Sequence, residues 1–295
     1  MDTAFTVNGL VKFYTDFTLG PLDMELEPGI VLGFVGPNGA GKTTTINCLG
    51  GLVQPDGGEV AVCGFSQDRE NPSWKQSIGF MGEERPFFEN WSGDQNLKFI
   101  SKFYTEWNDP LTLELARRLE LDLEKEVRDL SKGNRVKLGL VAALAHSPKL
   151  LLFDEPTEGL DPLVRTESLD VIREYMEDEE RAVFYSTHVL TDISRLADEL
   201  AFIDEGRVLL RERTDVLIDR WRQILFRLQG DCPPLEAVSE HRREEDQHRV
   251  ISSDFQRTIP QLEELGAADI HLSPLGIDEI AVAIIRGINR SIKND

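Results

Sequence analysis

The residues best suited to chemistry begin with a glycine-rich loop, GPNGAGKTT, at positions 36–44. It fits G-x-x-x-x-G-K-[ST], with Gly36, Gly41, Lys42 and Thr43 in the defining places, between a strand-like IVLGFV and a helix-like TTTINCLGGL. Glycines let backbone N–H groups surround a phosphate, and the following helix adds partial positive charge. We therefore predict a nucleotide site in which Lys42 reaches the β- and γ-phosphates and Thr43 binds Mg²⁺. The alternative is a chance glycine-rich turn. The predicted binding residues of this loop are Gly36, Pro37, Asn38, Gly39, Ala40, Gly41, Lys42, Thr43 and Thr44.

Two adjacent carboxylates, Asp154 and Glu155, end the apolar run LLLF. Ligands gather at the carboxyl ends of parallel strands, so both acids are expected at the same edge as the phosphate loop. Asp154 suits Mg²⁺, through a bound water, and Glu155 suits the attacking water, as general base or orienting group. The alternative is a solvated pair that caps the next helix.

Composition restricts the class of protein that could carry this site. The chain has 295 residues, 40% of them hydrophobic, and a net charge of −21, which argues against broad binding of nucleic acid or anionic lipid. Its cysteines, Cys48, Cys63 and Cys232, are scattered without a C-x-x-C, so we expect a reducing compartment and no cysteine metal site. No signal peptide is apparent, and the longest apolar runs, LGLVAALA and IAVAII, are too short to span a membrane. We expect a soluble, cytoplasmic protein without direct membrane insertion.

The elements that position the site alternate between strand-like and helix-like runs. GIVLGFVG, KLLLFDEP, RAVFYST and LAFIDEG are typical of a mostly parallel sheet, and KLLLF is apolar enough for a strand buried on both faces. From about residue 85 to 146 the pattern becomes helical, with Pro110 at a helix start. This predicts an α/β domain over residues 1–214 with a helical insert.

Residues 215–295 change character again. QILFRLQG, HRVISS and DIHLS resemble strands, and FQRTIPQLEELG and PLGIDEIAVAIIRGIN resemble helices, which predicts a small α+β domain. The charged run EHRREEDQHR is interpreted as a solvated turn between strands, with a functional charge patch as the alternative.

One further loop, LSKGN at residues 130–134, contains a hydroxyl and a glycine but no reactive group. It lies 23 residues before Asp154 and opens another helix. With an aromatic residue near the start, the phosphate loop, the acidic pair, GLD and a histidine, it forms an ordered set of motifs from about residue 5 to 210. The chain thereby resembles the ATPase subunits of ABC transporters, whose signature loop normally reads L-S-G-G-Q.

The resemblance implies the P-loop fold of ABC ATPases, with an antiparallel β edge, and a head-to-tail pair of subunits. Ser131 and Gly133 of one chain would then donate hydrogen bonds to the γ-phosphate held by the other, although Ser131 also fits an ordinary helix cap. Asp161 would belong to the loop that crosses to the partner, and His188 would contact the γ-phosphate. Tyr14 would stack on adenine; a core aromatic is the alternative.

Three positions depart from the family pattern. Lys132 and Asn134 replace the usual glycine and glutamine, and Glu83 occupies the glutamine-loop position, where it could bind Mg²⁺. Lys132 would either add positive charge near the nucleotide or face solvent. At Glu83 we expect altered metal dependence with hydrolysis retained.

The resemblance implies an ATPase that uses ATP and Mg²⁺ to drive a separate integral membrane permease, as a homodimer or a heterodimer. The subunit would then lie on the cytoplasmic face of the membrane and bind no nucleic acid. The C-terminal segment resembles that of bacterial ABC-2-type exporters, which favours export. Phe87, Phe88 and Trp91 either dock the permease or pack inside the helical insert. Two alternatives remain: a soluble ABC ATPase acting on ribosomes or nucleic acid, and a degenerate partner in a heterodimer.

Overall fold

The computed structural model describes residues 3–67, 72–82 and 87–292; Glu83 lies outside these ranges. The strands within them are β1 (Phe5–Tyr14), β2 (Phe17–Leu26), β3 (Val31–Val35), β4 (Gly57–Val62), β5 (Phe65–Ser66), β6 (Ile78–Met81), β7 (Leu150–Asp154), β8 (Ala182–Thr187), β9 (Glu199–Asp204), β10 (Arg207–Arg213), β11 (Arg222–Arg227), β12 (Val238–Glu244), β13 (Gln247–Ser252) and β14 (Ala268–Pro274). The α-helices are α1 (Lys42–Leu49), α2 (Gly93–Ile100), α3 (Asp109–Arg118), α4 (Lys132–Leu144), α5 (Pro162–Tyr175), α6 (Leu190–Ile193), α7 (Thr214–Arg220), α8 (Phe255–Glu264) and α9 (Ile277–Ile292).

The central sheet has the strand order β10-β9-β3-β8-β7-β6, and only β10 runs antiparallel to its neighbour. Every residue of β3, β7 and β8 is buried, as expected for strands covered on both faces. The predicted mostly parallel sheet with an antiparallel edge is confirmed. Its parallel strands β3, β7 and β8 end side by side, so the loops that follow them meet at one edge.

A second, antiparallel sheet of order β2-β1-β4-β5 packs against the central one. Phe5 of β1 meets the ring of Phe184 on β8 edge-on, with centroids 5.5 Å apart. Ile46 and Leu49 of α1 are buried in the same apolar cluster. This packing holds α1, and with it the phosphate loop, rigidly between the two sheets.

The helical segment lies between β6 and β7 and contains α2, α3 and α4. Ser92 starts α2 with a capping box, because its hydroxyl accepts from the N–H of Gln95 while the Gln95 side chain accepts from the N–H of Ser92. Asn108 caps α3, and Pro110 lies in its first turn, as predicted. These N-cap residues favour helix formation in the segment between β6 and β7.

The C-terminal residues form an antiparallel sheet of order β12-β13-β11-β14, covered by α8. The interpretation of EHRREEDQHR as a turn is wrong for most of its length, because only residues 245–246 turn and the rest belong to β12 and β13. Charged side chains suit these strands because their outward positions face solvent.

The last helix, α9, packs both against β12 of this small sheet and against β9, β10 and α6. Ile280 and Ile284 are buried in the same apolar cluster as Phe202 of β9. The domain boundary proposed between residues 214 and 215 falls at the start of α7. Within the described ranges, no helix combines the length and apolar character that crossing a bilayer requires.

Candidate active site

The phosphate loop connects β3 to α1, as its sequence predicts. Gly41 adopts a φ of 112°, a backbone conformation that residues with a side chain rarely take, and a Cβ there would lie 2.7 Å from Leu19 Cδ1. The ammonium of Lys42 donates to the carbonyls of Gly36 (2.7 Å) and Pro37 (3.1 Å) and is 5% exposed. Thr43 is exposed at the first turn of α1.

The acidic pair lies where β7 ends beside β8. Asp154 is 1% exposed, and its Oδ1 accepts a hydrogen bond from the Ser186 hydroxyl at 2.5 Å. Glu155 has a φ of 48°, in the left-handed region, and its N–H donates to the carbonyl of Ser186. The strand pairing thus fixes both the side chain of Asp154 and the unusual backbone of Glu155.

Glu155 joins the ends of three neighbouring strands. Its Oε1 lies 3.3 Å from Lys42 Nζ and 3.0 Å from His188 Nδ1. The backbone N–H of His188 donates to Oε2 of the same carboxylate at 3.2 Å. Lys42 lies 113 residues before Glu155 in the sequence and His188 lies 33 residues after it, yet both meet the same carboxylate; Lys42 and Glu155 are buried, and His188 is exposed.

The signature loop begins α4, and Ser131 is its N-cap, since its hydroxyl accepts from the N–H of Asn134 at 3.2 Å. A Cβ at Gly133 would lie 3.3 Å from the Val164 side chain on α5. The side chain of Lys132 reaches Gly159, where an added Cβ would lie 2.5 Å from Lys132 Nζ. The structure therefore gives Lys132 a contact within the chain, which neither sequence interpretation included.

Asp161 caps α5, because its Oδ1 accepts from the N–H groups of Leu163 and Val164, each at 3.1 Å. Tyr14 ends β1 and is 46% exposed, with its ring centroid 6.4 Å from that of Phe17. Phe17 in turn packs against the phosphate loop, since a Cβ on Gly41 would lie 3.1 Å from its ring. Tyr14 is thus a surface aromatic near the loop and does not belong to the core.

The residues that could hold a divalent cation are Thr43 and Asp154, a hydroxyl and a buried carboxylate at the phosphate-loop edge of the sheet. This is the donor chemistry that Mg²⁺ prefers. Ser186, which the sequence analysis did not name, orients the carboxylate. The only sequence signal for Ser186 is that it lies in the strand-like run FYST, two residues before His188.

Comparison with known proteins decides the family. A family model described as ABC transporter matches residues 19–158. The daunorubicin resistance ATP-binding protein DrrA3 of Streptomyces coeruleorubidus is 36% identical over 73% of this chain and 70% of its own length. The chain belongs to the ABC transporter ATP-binding proteins.

Two other matches extend this result. The bacitracin transport ATP-binding protein BcrA of Bacillus licheniformis is 29% identical over 96% of this chain and 94% of its own length. A solved structure of an ATP binding subunit of an ABC transporter has a TM-score of 0.66 and 25% identity, covering 72% of this chain and 92% of that one. Matches to the first curated relatives span from 62% to 94% of their lengths. As a member of this ABC family, the chain is an ATPase whose nucleotide is ATP.

Proposed function

We propose that this ABC subunit hydrolyses MgATP between two head-to-tail cassettes and thereby drives export through a separate membrane permease. The observation that carries the proposal is the position of Glu155, whose carboxylate meets both Lys42 and His188 at the edge where three parallel strands end. A general base must lie within reach of the proton that it abstracts. Glu155 lies beside Lys42, which binds the phosphates, and His188 orients its carboxylate, so a water that attacks the γ-phosphate would lie within its reach.

Each of these side chains has a role that follows from its chemistry. Lys42 is a buried ammonium at the start of α1, so it binds the β- and γ-phosphates as a charged donor. Glu155 orients the attacking water and accepts its proton. His188 holds the Glu155 carboxylate through its ring and its backbone N–H. We expect its partly exposed ring to contact the γ-phosphate once ATP binds.

Thr43 and Asp154 would hold Mg²⁺, with Asp154 kept in place by Ser186. The ion supplies charge that offsets the charge developing on the phosphate oxygens. Glu83 remains a proposed additional ligand, on the sequence grounds given above.

The positions of the phosphate loop and the signature loop within one chain support a dimer. The phosphate loop packs against Leu19 and Phe17 of the β1–β2 hairpin, whereas Gly133 of the signature loop packs against Val164 of α5. The two halves of the site thus contact different parts of the fold. A second copy, or a related subunit, would bring Ser131 and Gly133 to the γ-phosphate, with Asp161 at the crossing loop.

An exposed aromatic cluster on the helical segment supports docking to a permease. Phe88 and Trp91 are 48% and 38% exposed, and their ring centroids lie 4.5 Å apart. Phe99 touches both rings, whereas Phe87 packs against the buried core. The two sequence interpretations therefore apply to different residues: Phe87 supports the insert, and Phe88 and Trp91 offer an interface.

Export is supported by the relatives, which include a drug resistance protein and a bacitracin transport protein. The subunit would lie on the cytoplasmic face of the membrane through its permease. If so, a polytopic membrane protein co-purifies with the tagged chain from detergent-solubilised membranes, and substituting both Phe88 and Trp91 with serine reduces its recovery.

Glu155→Gln tests the mechanism. This variant keeps the shape of the side chain but cannot accept a proton, so we expect ATP binding to persist and turnover to fall by about 10²-fold or more. Because ATP is then held without being consumed, dimers should accumulate during gel filtration with MgATP. Glu114→Gln, an exposed carboxylate on α3, is the matched control and should behave as wild type. Wild-type turnover in Glu155→Gln would remove Glu155 from the mechanism.

A further inference from the structure

A thiol and two imidazoles meet in the C-terminal sheet, in a place that ATP hydrolysis does not use. Cys232 comes from the loop between β11 and β12, His241 from β12 and His248 from β13. One potential ligand atom from each residue can be chosen so that all three lie within 4.8 Å of one another. The sequence analysis expected no cysteine metal site, because the three cysteines are scattered without a C-x-x-C.

Strand register explains the meeting. His241 pairs directly with Val250, which lies two residues from His248 on β13, so both histidines project from the same face of the hairpin. On the other side of β13, His248 pairs with Phe226 of β11. The rings stack in sequence, with centroids 5.0 Å apart for Phe226 and His248 and 5.1 Å apart for His248 and His241. The imidazoles are therefore held in place by their neighbours.

The polar atoms of the cluster point at one another. His241 Nε2 and His248 Nδ1 are 2.9 Å apart, and His248 is fully buried. Among the residues that the structure describes, the other nitrogen of that ring, Nε2, has no hydrogen-bond partner of acceptable geometry. The thiol of Cys232 makes one long contact, to the carbonyl of Pro233 at 3.5 Å. A hydrogen-bonded histidine pair beside an apolar cysteine would account for the two rings, but not for the convergence of the thiol on them.

We propose that Cys232, His241 and His248 bind Zn²⁺. Thiolate and imidazole are the ligands that this borderline-soft ion takes in proteins, and three of them leave one position of a tetrahedron open. Bonds of about 2.0–2.3 Å place tetrahedral ligands roughly 3.3–3.7 Å apart. The histidine nitrogens must separate slightly, and the Cys232 loop must close by about an ångström, to reach that arrangement.

The surroundings are compatible with a cation. Asp231 precedes Cys232, and its carboxylate pairs at 2.6 Å with the guanidinium of Arg243, which offsets the positive charge of that guanidinium opposite His248. His241 is exposed, so the open position faces solvent and the ion has an entry path. Bound Zn²⁺ would tie the loop between β11 and β12 to the β12–β13 hairpin and stabilise this sheet.

Zinc binding to the full chain tests the proposal directly. The protein, freed of metals with a chelator, is titrated with Zn²⁺ in competition with a chromophoric zinc indicator. We expect one Zn²⁺ per chain, and at least a tenfold rise in Kd for Cys232→Ser and for His241→Ala, since each removes one of three ligands. Zinc should also raise the melting temperature of the wild-type chain and of neither variant.

Two matched controls separate the cluster from adventitious binding. Cys63→Ser and His271→Ala replace the same residue types elsewhere, and both should keep the wild-type Kd. The absorption spectrum with Co²⁺ in place of Zn²⁺ provides an independent test. A thiolate-to-cobalt charge-transfer band should appear in the wild type and be absent in Cys232→Ser. A wild-type chain that does not compete for zinc, or an unchanged Kd in both ligand variants, would overturn the proposal. Circular dichroism confirms that each variant is folded.

Discussion

At the scale of single residues, the active site depends on a strained glutamate with several partners. The left-handed backbone of Glu155 costs on the order of 1–3 kcal/mol, and its carboxylate is 9% exposed. The Lys42 ammonium and two groups of His188 surround that carboxylate. Charge-assisted contacts of this kind offset the strain, so the geometry of Glu155 is set by residues that follow β3 and β8.

Ser186→Ala should weaken the use of Mg²⁺. The substitution removes the hydroxyl that donates to Asp154 Oδ1 and leaves a buried carboxylate with one partner fewer. Because such supporting contacts tune metal affinity, we expect the Mg²⁺ concentration for half-maximal ATPase activity to rise by about tenfold or more. The measurement is ATPase rate against Mg²⁺ concentration at fixed ATP.

Ser168→Ala is the matched control for that experiment. Ser168 is as buried as Ser186, but its hydroxyl donates to the carbonyl of Val164 within its own helix. An unchanged Mg²⁺ requirement in Ser186→Ala, or an equal change in Ser168→Ala, would show that the hydroxyl does not act through Asp154.

Spacing alone could predict much of this site. Asp154 ends a strand, and Lys42, Glu155 and His188 each follow one; because parallel strands end at one edge, the proximity of these residues follows from the order of elements. The role of Ser186 depended on a pairing register that no local pattern fixes. The contact between Lys132 and Gly159 depended on how α4 packs beside the loop before α5, which is also a tertiary property.

At the scale of elements, His146 connects the helical segment to the central sheet. It follows α4, stacks on Tyr104 with ring centroids 3.8 Å apart, and donates through Nε2 to the carbonyl of Ile78 on β6 at 2.9 Å. Burial, which disfavours the charged ring, lowers the pKa of His146 below 6.5. At a pH just below 6.5, the native protein therefore keeps this imidazole neutral, whereas the unfolded chain protonates it.

That difference predicts a loss of stability in mild acid. As the pH falls below about 6.5, the unfolded chain takes up a proton that the native state does not, so the free energy of unfolding decreases by up to about 1.4 kcal/mol per pH unit. His146→Gln cannot titrate, so its urea-unfolding free energy should fall less steeply between pH 7.5 and 5.5. His271→Gln, an exposed histidine on β14, should keep the wild-type slope. Equal slopes in wild type and His146→Gln would contradict this.

The elements that the sequence predicted best are those with strong apolar runs or polar caps, such as β7 and α3. The strands β1, β2 and β4 were not predicted, and β12 was interpreted as a turn, because half-exposed antiparallel strands carry mixed or charged side chains. These segments become strands through pairing with their neighbours, as in Phe5 with Leu26 and His241 with Val250, and local composition does not reveal that pairing.

At the scale of the whole molecule, one apolar cluster extends from the helical segment to α9. Ile280, Ala283 and Ile284 of α9 are almost fully buried, and the helix lies on β9 and β10 of the ABC fold. The C-terminal sheet is therefore attached to the nucleotide-binding part through a shared core, and we expect the two to unfold together.

Ile284→Ala should destabilise the entire chain. Ile284 is 3% exposed, and truncating such a side chain typically costs about 2–5 kcal/mol through lost burial and the cavity that remains. Val282→Ala, on the exposed side of the same helix, should change the free energy of unfolding by about 0.5 kcal/mol or less. Urea unfolding followed by circular dichroism compares the two, and a separate early transition of the C-terminal sheet in the wild type would argue against a shared core.

The position of α9 also sets a delay during synthesis. The apolar surface of β9 and β10 leaves the ribosome 71 residues before Ile284 does, counting from Arg213. At translation rates of about 5–20 residues per second, that surface stays uncovered for roughly 4–14 s. During that interval, nascent chains of this ATPase expose the apolar face of β9 and β10 to molecular chaperones. The face is covered only after α9 has been translated.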